Sequence, residues 1–258
     1  MIEAGKKWTP PAGWPVMTRD QVKDALCAPG MPFEMETAEI EGVPTRVWKN
    51  ALPNLAVLAA HANASFGDRE FVVYEDERVT YAAWHRAFAT LAHALQARGV
   101  KKGDRVALAM RNLPEWPVAF FAAAVTGAIV VPLNAWWTGE ELAFGLADSG
   151  AAVLICDAER WDRISPYKAE MPALAHVMVA RAGAAAMAEP AITLESIIGS
   201  PKNYADLADL SLPEVEIAPD DATTIFYTSG TTGKPKGALG SHRNLLTNGF
   251  SSAYSGAA

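Results

Sequence analysis

Cysteine is scarce in this sequence, and its scarcity excludes several kinds of protein. The 258 residues include two cysteines, Cys27 and Cys156, which lie far apart and in no spacing typical of a metal site. Two distant cysteines cannot form the framework of a small disulfide-rich domain. The first residues also lack the apolar run of a signal peptide. The sequence therefore favours a reducing compartment, and we expect a cytoplasmic protein.

Positive charge is also in deficit. The chain has 22 Lys and Arg against 29 Asp and Glu, a formal net charge of −7. Nucleic-acid binding depends on basic side chains that neutralise phosphates, so we expect no nucleic-acid partner. A local loop can still bind a small anion, because the overall sign of a protein does not fix the field at one site.

Long hydrophobic runs are limited to one. Residues 116–139 carry no charge, and this length would suffice to cross a bilayer. Prolines and a glycine interrupt the run, so we expect a short buried helix at 114–126 and a buried strand at 128–133. Continuous apolar strands are typical of parallel sheets covered on both faces. We therefore expect no integral membrane segment, with a membrane-associated protein as the alternative.

The remaining pattern alternates helices with short apolar strands. Apolar side chains recur at spacings of three and four at Tyr81, Trp84, Phe88, Leu91 and Leu95. This spacing predicts one helix, with Thr80 as its N-cap and Gly99 as its stop. Further strands are predicted at 105–110, 151–156 and 223–228, and a capping box at Thr138 and Glu141 starts another helix. The alternation predicts an α/β fold with a mostly parallel sheet and flanking helices.

Residues 1–50 differ from the rest. They are rich in proline and glycine and show no sustained period. Thr18 predicts the start of a short helix at 20–26, and we expect the rest to be an irregular arm on the surface of a domain formed by residues 51–258.

The segment Tyr227-Thr-Ser-Gly-Thr-Thr-Gly-Lys-Pro-Lys-Gly237 carries the chemistry. It follows a predicted strand, and ligands of open α/β sheets bind beyond the carboxyl ends of strands. Its hydroxyls, flexible glycines and lysine suit a bound polyphosphate. It is neither a Walker A loop nor a Gly-x-Gly-x-x-Gly fingerprint, because the glycine spacing differs. From composition alone, a flexible polar turn is the alternative to a phosphate site.

The same eleven residues resemble the AMP-binding signature of the adenylate-forming superfamily. Three upstream segments, Val79–Tyr81, Gly99–Val106 and Gly127–Asn134, resemble other motifs of that superfamily in the expected order. The resemblance covers about residues 54–250. It implies that this chain is part of the large N-terminal domain of an acyl-CoA synthetase.

The resemblance also implies a reaction and a site. In such enzymes a carboxylate attacks Mg-ATP to give an acyl-adenylate and pyrophosphate, and the thiol of coenzyme A then takes the acyl group. The implied partner is a small carboxylic acid. Asn134 favours an acyl-CoA ligase over a peptide-synthetase domain, and the loop resembles fatty-acid ligases more than aryl-CoA ligases. The residues implied to hold the ATP phosphates are Thr228, Ser229, Gly230, Thr231, Thr232, Gly233 and Lys236. Thr228 is also expected to contact Mg²⁺ through its hydroxyl.

Two departures from the family pattern accompany the resemblance. Gly240 stands where the family usually has a larger apolar residue. The family's adenine, ribose and metal motifs and its C-terminal catalytic lysine follow this loop and are not found here. We therefore expect residues 51–258 to be an incomplete AMP-binding domain without the C-terminal domain, with no identifiable catalytic residue and no activity alone. A non-catalytic nucleotide-binding or interaction module is the alternative, and an exposed sheet edge is expected to promote self-association.

Overall fold

The computed structural model describes residues 12–13, 17–183, 190–228 and 234–257. Contacts divide the chain into two compact units. The larger unit is Leu52–Leu246, and the smaller unit joins the chain up to Ala51 with the chain from Thr247 onward. The predicted division into an arm of residues 1–50 and a domain of residues 51–258 stays a prediction.

Eleven strands lie in the described part of the chain. They are β1 (Met35–Ile40), β2 (Val43–Trp48), β3 (Glu70–Tyr74), β4 (Glu77–Thr80), β5 (Arg105–Ala109), β6 (Ile129–Pro132), β7 (Val153–Asp157), β8 (His176–Ala180), β9 (Ala191–Thr193), β10 (Ala222–Thr228) and β11 (Lys236–Ser241).

Eight α-helices accompany them. They are α1 (Arg19–Cys27), α2 (Leu55–Phe66), α3 (Tyr81–Ala97), α4 (Glu115–Val125), α5 (Gly139–Ser149), α6 (Ala158–Ile164), α7 (Glu195–Ile198) and α8 (His242–Ala257). Two 3₁₀ helices, Ser165–Glu170 and Pro201–Asp206, complete the described elements.

Seven strands form one sheet in the order β11-β10-β6-β5-β7-β8-β9. Every neighbouring pair is parallel except β10 and β11, which are antiparallel. The predicted α/β fold with a mostly parallel sheet is confirmed. β6 lies on one side of β5 and β7 lies on the other side. The strand order therefore reverses between β5 and β7. Such a reversal is where α/β sheets bind ligands, beyond the carboxyl ends of the strands.

The central strands are buried on both faces, as their unbroken apolar sequences predict. In β5, Val106 and Leu108 pack with the helices α3 and α4, whereas Ala107 and Ala109 pack with α5 and the end of α6. The uncharged run 116–139 divides as expected into α4 and β6. Among the helices in the described residues, none is both long and apolar enough to cross a membrane.

The prediction for the N-terminal region is partly wrong. The helix α1 and its Thr18 capping box are present, but residues 35–48 form the antiparallel hairpin β1–β2 instead of an irregular segment. Its two-residue turn places Glu41 at φ 50° and Gly42 at φ 78°. Positive φ at both central residues is typical of a type I′ turn, the turn whose twist matches a hairpin. Gly42 suits its position, but Glu is not among the residues that favour positive φ, so the turn was not evident from the sequence.

Candidate functional site

Strands β10 and β11 form a hairpin, and their paired ends flank the predicted phosphate loop in the sequence. β10 ends at Thr228 and β11 begins at Lys236, and these two residues are paired across the ladder. Lys236 and Gly237, the last two residues of the motif, are the first two residues of β11. The candidates Ser229, Gly230, Thr231, Thr232 and Gly233 lie outside the described residues, so their role stays a prediction.

Thr228 and Lys236 carry two of the described polar groups at the tip of this hairpin. Residues directly opposite each other in an antiparallel pair project to the same face, with Cβ atoms about 5 Å apart. Both residues are exposed. The Thr228 hydroxyl has one long contact, 3.5 Å from its oxygen to the Lys236 carbonyl, and in the described residues the Lys236 ammonium has no hydrogen bond or ion pair. A hydroxyl and an uncommitted cation thus lie side by side, which suits a phosphate.

The sheet places this tip at its ligand-binding edge. β10 runs parallel to β6 through the pair Thr224 and Val130. Thr228 therefore ends at the same edge as the carboxyl ends of β5, β6 and β7. This confirms the inference that the loop follows the carboxyl end of a strand in an α/β sheet.

Two glycines allow β11 to approach β10 closely. A Cβ on Gly237 would lie 2.7 Å from Cγ2 of Ile225, and a Cβ on Gly240 would lie 2.9 Å from Oγ1 of Thr224. Contacts this short force a neighbour to move. The departure noted at Gly240 therefore has a packing reason in this chain, since Thr224 is fully buried.

Helix α5 contacts both sides of the hairpin tip. The Tyr227 hydroxyl donates a hydrogen bond of 2.6 Å to Oδ2 of Asp148. Burial and the neighbouring Asp148 carboxylate raise the pKa of Tyr227, so the phenol stays protonated and remains a donor. On the other side of the tip, Nζ of Lys234 lies 5.2 Å from the centre of the Phe144 ring, within the range of a cation–π contact.

A cavity of about 440 Å³ lies at the same edge of the sheet, where the strand order reverses. It is lined by segments that follow β5, β7 and β8, together with one residue of β3. Its lining residues are Tyr74, Arg111, Asn112, Leu113, Asp157, Ala158, Glu159, Arg160 and Arg181. The sequence did not predict this cavity.

Carboxylates of the protein neutralise Arg160, one of the arginines that line the cavity. Nη1 of Arg160 lies 3.2 and 3.1 Å from the two Asp157 carboxylate oxygens and 2.9 Å from Oε2 of Glu159. Nε of the same guanidinium donates to the Ala135 carbonyl. The side chains of Arg160 and Asp157 are 2% and 8% exposed, so this charge pair is part of the protein interior.

A second arginine, Arg181, is held between two buried carboxylates. Nε donates to Glu115 over 2.6 Å, and the two terminal nitrogens donate to Glu77. Burial opposes the charge on Arg181, but the hydrogen bonds to Glu77 and Glu115 outweigh it and raise the pKa of the guanidinium. Burial also raises the pKa of Glu115, against the opposing effect of Arg181.

The third arginine, Arg111, is exposed at the rim. Its guanidinium carbon lies 3.8 Å from the ring centre of Trp136, which is 70% exposed. Its backbone N–H donates to Asp157, which fixes the start of the segment. In the described residues the Arg111 guanidinium has no ion pair.

The described residues contain no cluster of three or more His, Cys, Asp or Glu side chains arranged to hold a metal ion. The predicted Mg²⁺ contact at Thr228 depends on a single hydroxyl and stays a prediction. A hydroxyl is a suitable hard oxygen ligand for Mg²⁺, which usually binds through substrate phosphates and few protein groups.

Comparison with known proteins agrees with this geometry. The family model described as AMP-binding enzyme matches residues 59–257. The chain is 38% identical over 170 residues to a feruloyl-CoA synthase of Amycolatopsis, covering 66% of this chain. It is 31% identical over 227 residues to a long-chain-fatty-acid–CoA ligase of Salmonella typhimurium, covering 80% of this chain.

A solved structure shares the fold. It is the inhibitor-bound N-terminal domain of FACL13 from Mycobacterium tuberculosis, with a TM-score of 0.61 and 31% identity over 74% of this chain and 45% of that one. The chain spans 30% and 40% of the lengths of the two curated relatives. The family match covers most of the sequence, so this chain belongs to the AMP-binding enzyme family and is of the acyl-CoA ligase type.

Proposed function

We propose that this chain supplies the ATP phosphate site of an acid–thiol ligase. The reaction would join a carboxylic acid to the thiol of coenzyme A through an acyl-adenylate, with release of pyrophosphate. The observation that carries the proposal is the exposed pair of Thr228 and Lys236 at the carboxyl edge of the sheet. Lys236 is not paired within the described chain, so its charge is available to a ligand.

The described residues fit a polyphosphate, and their role follows from charge and position. When bound, Mg-ATP supplies an activated α-phosphate and a pyrophosphate leaving group. Lys236 would oppose the negative charge that grows on the leaving oxygens, and the Thr228 hydroxyl would donate a hydrogen bond to them. Donors fixed before the reaction also orient the α-phosphate for in-line attack. By family resemblance, Ser229, Gly230, Thr231, Thr232 and Gly233 would add hydroxyl and backbone donors.

We propose a fatty acid as the substrate. In support, the long-chain-fatty-acid–CoA ligase relative matches over more of this chain than the feruloyl-CoA synthase does. The identity to feruloyl-CoA synthase is higher, so aromatic acids are the competing class. The composition, with two separated cysteines, supports a cytoplasmic location.

The test is a two-stage measurement on residues 1–258. Calorimetric titration with Mg-pyrophosphate and with Mg-ATP tests the phosphate site, and saturable binding of both is expected. A carboxylate-dependent ATP–pyrophosphate exchange assay follows, with a panel of fatty and aromatic acids. We expect no exchange from this chain alone, since the relatives carry more than twice its length. Absence of pyrophosphate binding would overturn the proposed phosphate site, whereas exchange with one acid would identify the substrate and overturn the expected inactivity.

We also propose that the chain associates with itself through β11. This strand is the last of the sheet and is paired on one side with β10 among the described residues. Leu239 on it is 66% exposed and the neighbouring Phe226 is 42% exposed. Open strand edges with apolar side chains are templates for pairing. Light scattering at micromolar concentration should show dimers or larger species, and Leu239→Lys should shift them toward monomer; a monodisperse monomer without the substitution contradicts this proposal.

A further inference from the structure

We infer that helix α5 is a brace that positions the phosphate hairpin, and that Asp148 acts through Tyr227 as a positioning residue. The inference rests on the proposed function, because it concerns the same phosphate site. It goes further by assigning roles to Asp148, Phe144, Tyr227 and Lys234, none of which is placed in contact with phosphate.

The first contact of the brace holds β10. Tyr227 comes immediately before Thr228, and successive side chains of a strand project to opposite faces. The Tyr227 hydroxyl donates to Asp148 over 2.6 Å and lies 3.4 Å from the Gly145 carbonyl. The Trp137 ring meets the Tyr227 ring edge to face, with centres 6.0 Å apart. Tyr227 is thus held to α5 at the position next to the phosphate-facing Thr228.

The second contact holds the other side of the tip. Lys234 precedes β11, and its ammonium lies over the Phe144 ring at 5.2 Å. Phe144 and Asp148 are four residues apart in α5, which places them one above the other on one face of the helix. The same helix face therefore contacts the chain immediately before and after residues 229–233.

The two lysines of the motif have different surroundings. Lys234 contacts α5, whereas Lys236 has no partner in the described residues. Of these two lysines, the sequence analysis named Lys236 as a phosphate ligand, and the contact with Phe144 assigns an anchoring role to Lys234. This leaves Lys236 as the cation available to the ligand.

The brace is needed because of the position of the hairpin. Among the described residues, β11 is the outermost strand of the sheet and pairs with β10 alone. Ligand and catalytic groups act efficiently when neighbouring contacts hold them in place, and a displacement of about 1 Å can be costly. Helix α5 is joined firmly to the core through Leu142, Ala143 and Leu146, so it can transmit that rigidity to the tip.

The experiment measures Mg-pyrophosphate affinity by calorimetry on residues 1–258. Tyr227→Phe and Asp148→Ala should each weaken binding about fivefold to tenfold, since each removes the charge-assisted hydrogen bond. Asp148→Asn keeps an oxygen that can accept from Tyr227 and should restore most of the affinity. The matched control is Glu140→Ala, which removes one exposed carboxylate from the same helix. In the combined Tyr227→Phe and Asp148→Ala variant the two losses should not add.

Hydrogen exchange of the Thr228 and Lys236 amides provides a second measurement that does not need a ligand. Faster exchange at these amides in Tyr227→Phe, with unchanged thermal unfolding, supports the brace. If the unsubstituted chain binds no pyrophosphate, the proposed function fails, and the exchange rates still decide the brace. If it binds and the Tyr227 and Asp148 variants bind equally well, or if Glu140→Ala weakens binding as much as Asp148→Ala, the positioning role is overturned.

Discussion

The cavity between β5 and β7 and the tip of the β10–β11 hairpin lie at the same edge of the sheet, but two of the three cavity arginines are neutralised by carboxylates, whereas in the described residues Lys236 at the tip is not. In the cavity, Arg160 and Arg181 are paired with buried carboxylates. At the hairpin tip, Lys236 is exposed and has no partner in the described residues. A charge that is already neutralised contributes to the fold, whereas an uncommitted charge is available to a ligand. Position at a ligand-binding edge is therefore not enough to identify a site.

The largest expected effect is on the cavity. Arg160→Met would leave Asp157 buried without its partner, and removal of one member of a buried pair costs roughly 3 kcal/mol or more in unfolding free energy. Urea denaturation measures the loss. Arg163→Met on the same helix is the control, because its ion pair with the exposed Glu159 should contribute less than about 1 kcal/mol. Equal unfolding free energies for the two variants would show that the buried Arg160–Asp157 pair does not stabilise the fold, which would contradict the contrast with Lys236.

A smaller effect is expected at the base of the hairpin, where His242 follows β11. Its side chain is fully buried, and Nδ1 accepts a hydrogen bond from the backbone N–H of Leu55. Burial lowers the pKa of His242 to about 4. The unfolded chain binds the proton near its ordinary pKa of about 6.5. The stability due to the neutral ring is therefore present above pH 6.5 and is lost as pH falls toward 4, by roughly 2 to 3 kcal/mol.

His242→Gln cannot take up that proton, so the fall in stability between pH 6.5 and 4 should become shallower. Urea denaturation at a series of pH values measures the slope. His85, whose pKa is also lowered by burial, adds a slope of its own that the variant keeps. The exposed His61→Gln is the matched control. If the pH dependence of the unfolding free energy is unchanged in His242→Gln, the buried neutral ring of His242 does not cause the loss of stability at low pH.

The smallest effect in free energy is expected at Lys236, and it should appear in binding instead of stability. Lys236→Met removes a charge-assisted contact and should weaken Mg-pyrophosphate binding about tenfold. Its unfolding free energy should change by less than about 0.5 kcal/mol, as for other exposed positions. Lys101→Met is the charge-matched control, because Lys101 precedes the amino end of β5, far from the carboxyl ends of the strands. A large loss of stability in Lys236→Met would show that Lys236 is paired within the protein. Equal affinities of the two variants for Mg-pyrophosphate would show that Lys236 does not bind the ligand.

Local pattern predicted much of the fold. The alternating spacings that begin at Tyr81 predicted α3, and the Thr138–Glu141 capping box predicted the start of α5. Both signals depend on neighbours within one or two turns. The division of the uncharged run into α4 and β6 also followed from local interruptions by proline and glycine.

The sequence did not predict β8, β9 or β11. In β11, the residues Lys-Gly-Ala-Leu-Gly-Ser have weak intrinsic strand preference, and the strand forms because β10 pairs with it. The cavity could not be predicted because its contacts join residues that are distant in sequence. Arg181 contacts Glu115 and Glu77, which are 66 and 104 residues away. The Tyr227–Asp148 bond spans 79 residues. Contacts of this length depend on topology, and no short window of sequence contains them.

The reversal at β11 has a consequence for the surroundings of a bound anion. Because β11 runs back along β10, helix α8 starts at the opposite edge, about 20 Å from the tip for a six-residue strand. A helix that starts directly after a glycine-rich loop adds the positive end of its dipole to the ligand, and α8 is too distant to do so. In the proposed site, attraction at the tip would therefore depend on exposed groups such as Lys236. Mobile ions screen such groups over about 8 Å at physiological ionic strength, so phosphate binding at the proposed site should weaken steeply as salt is added.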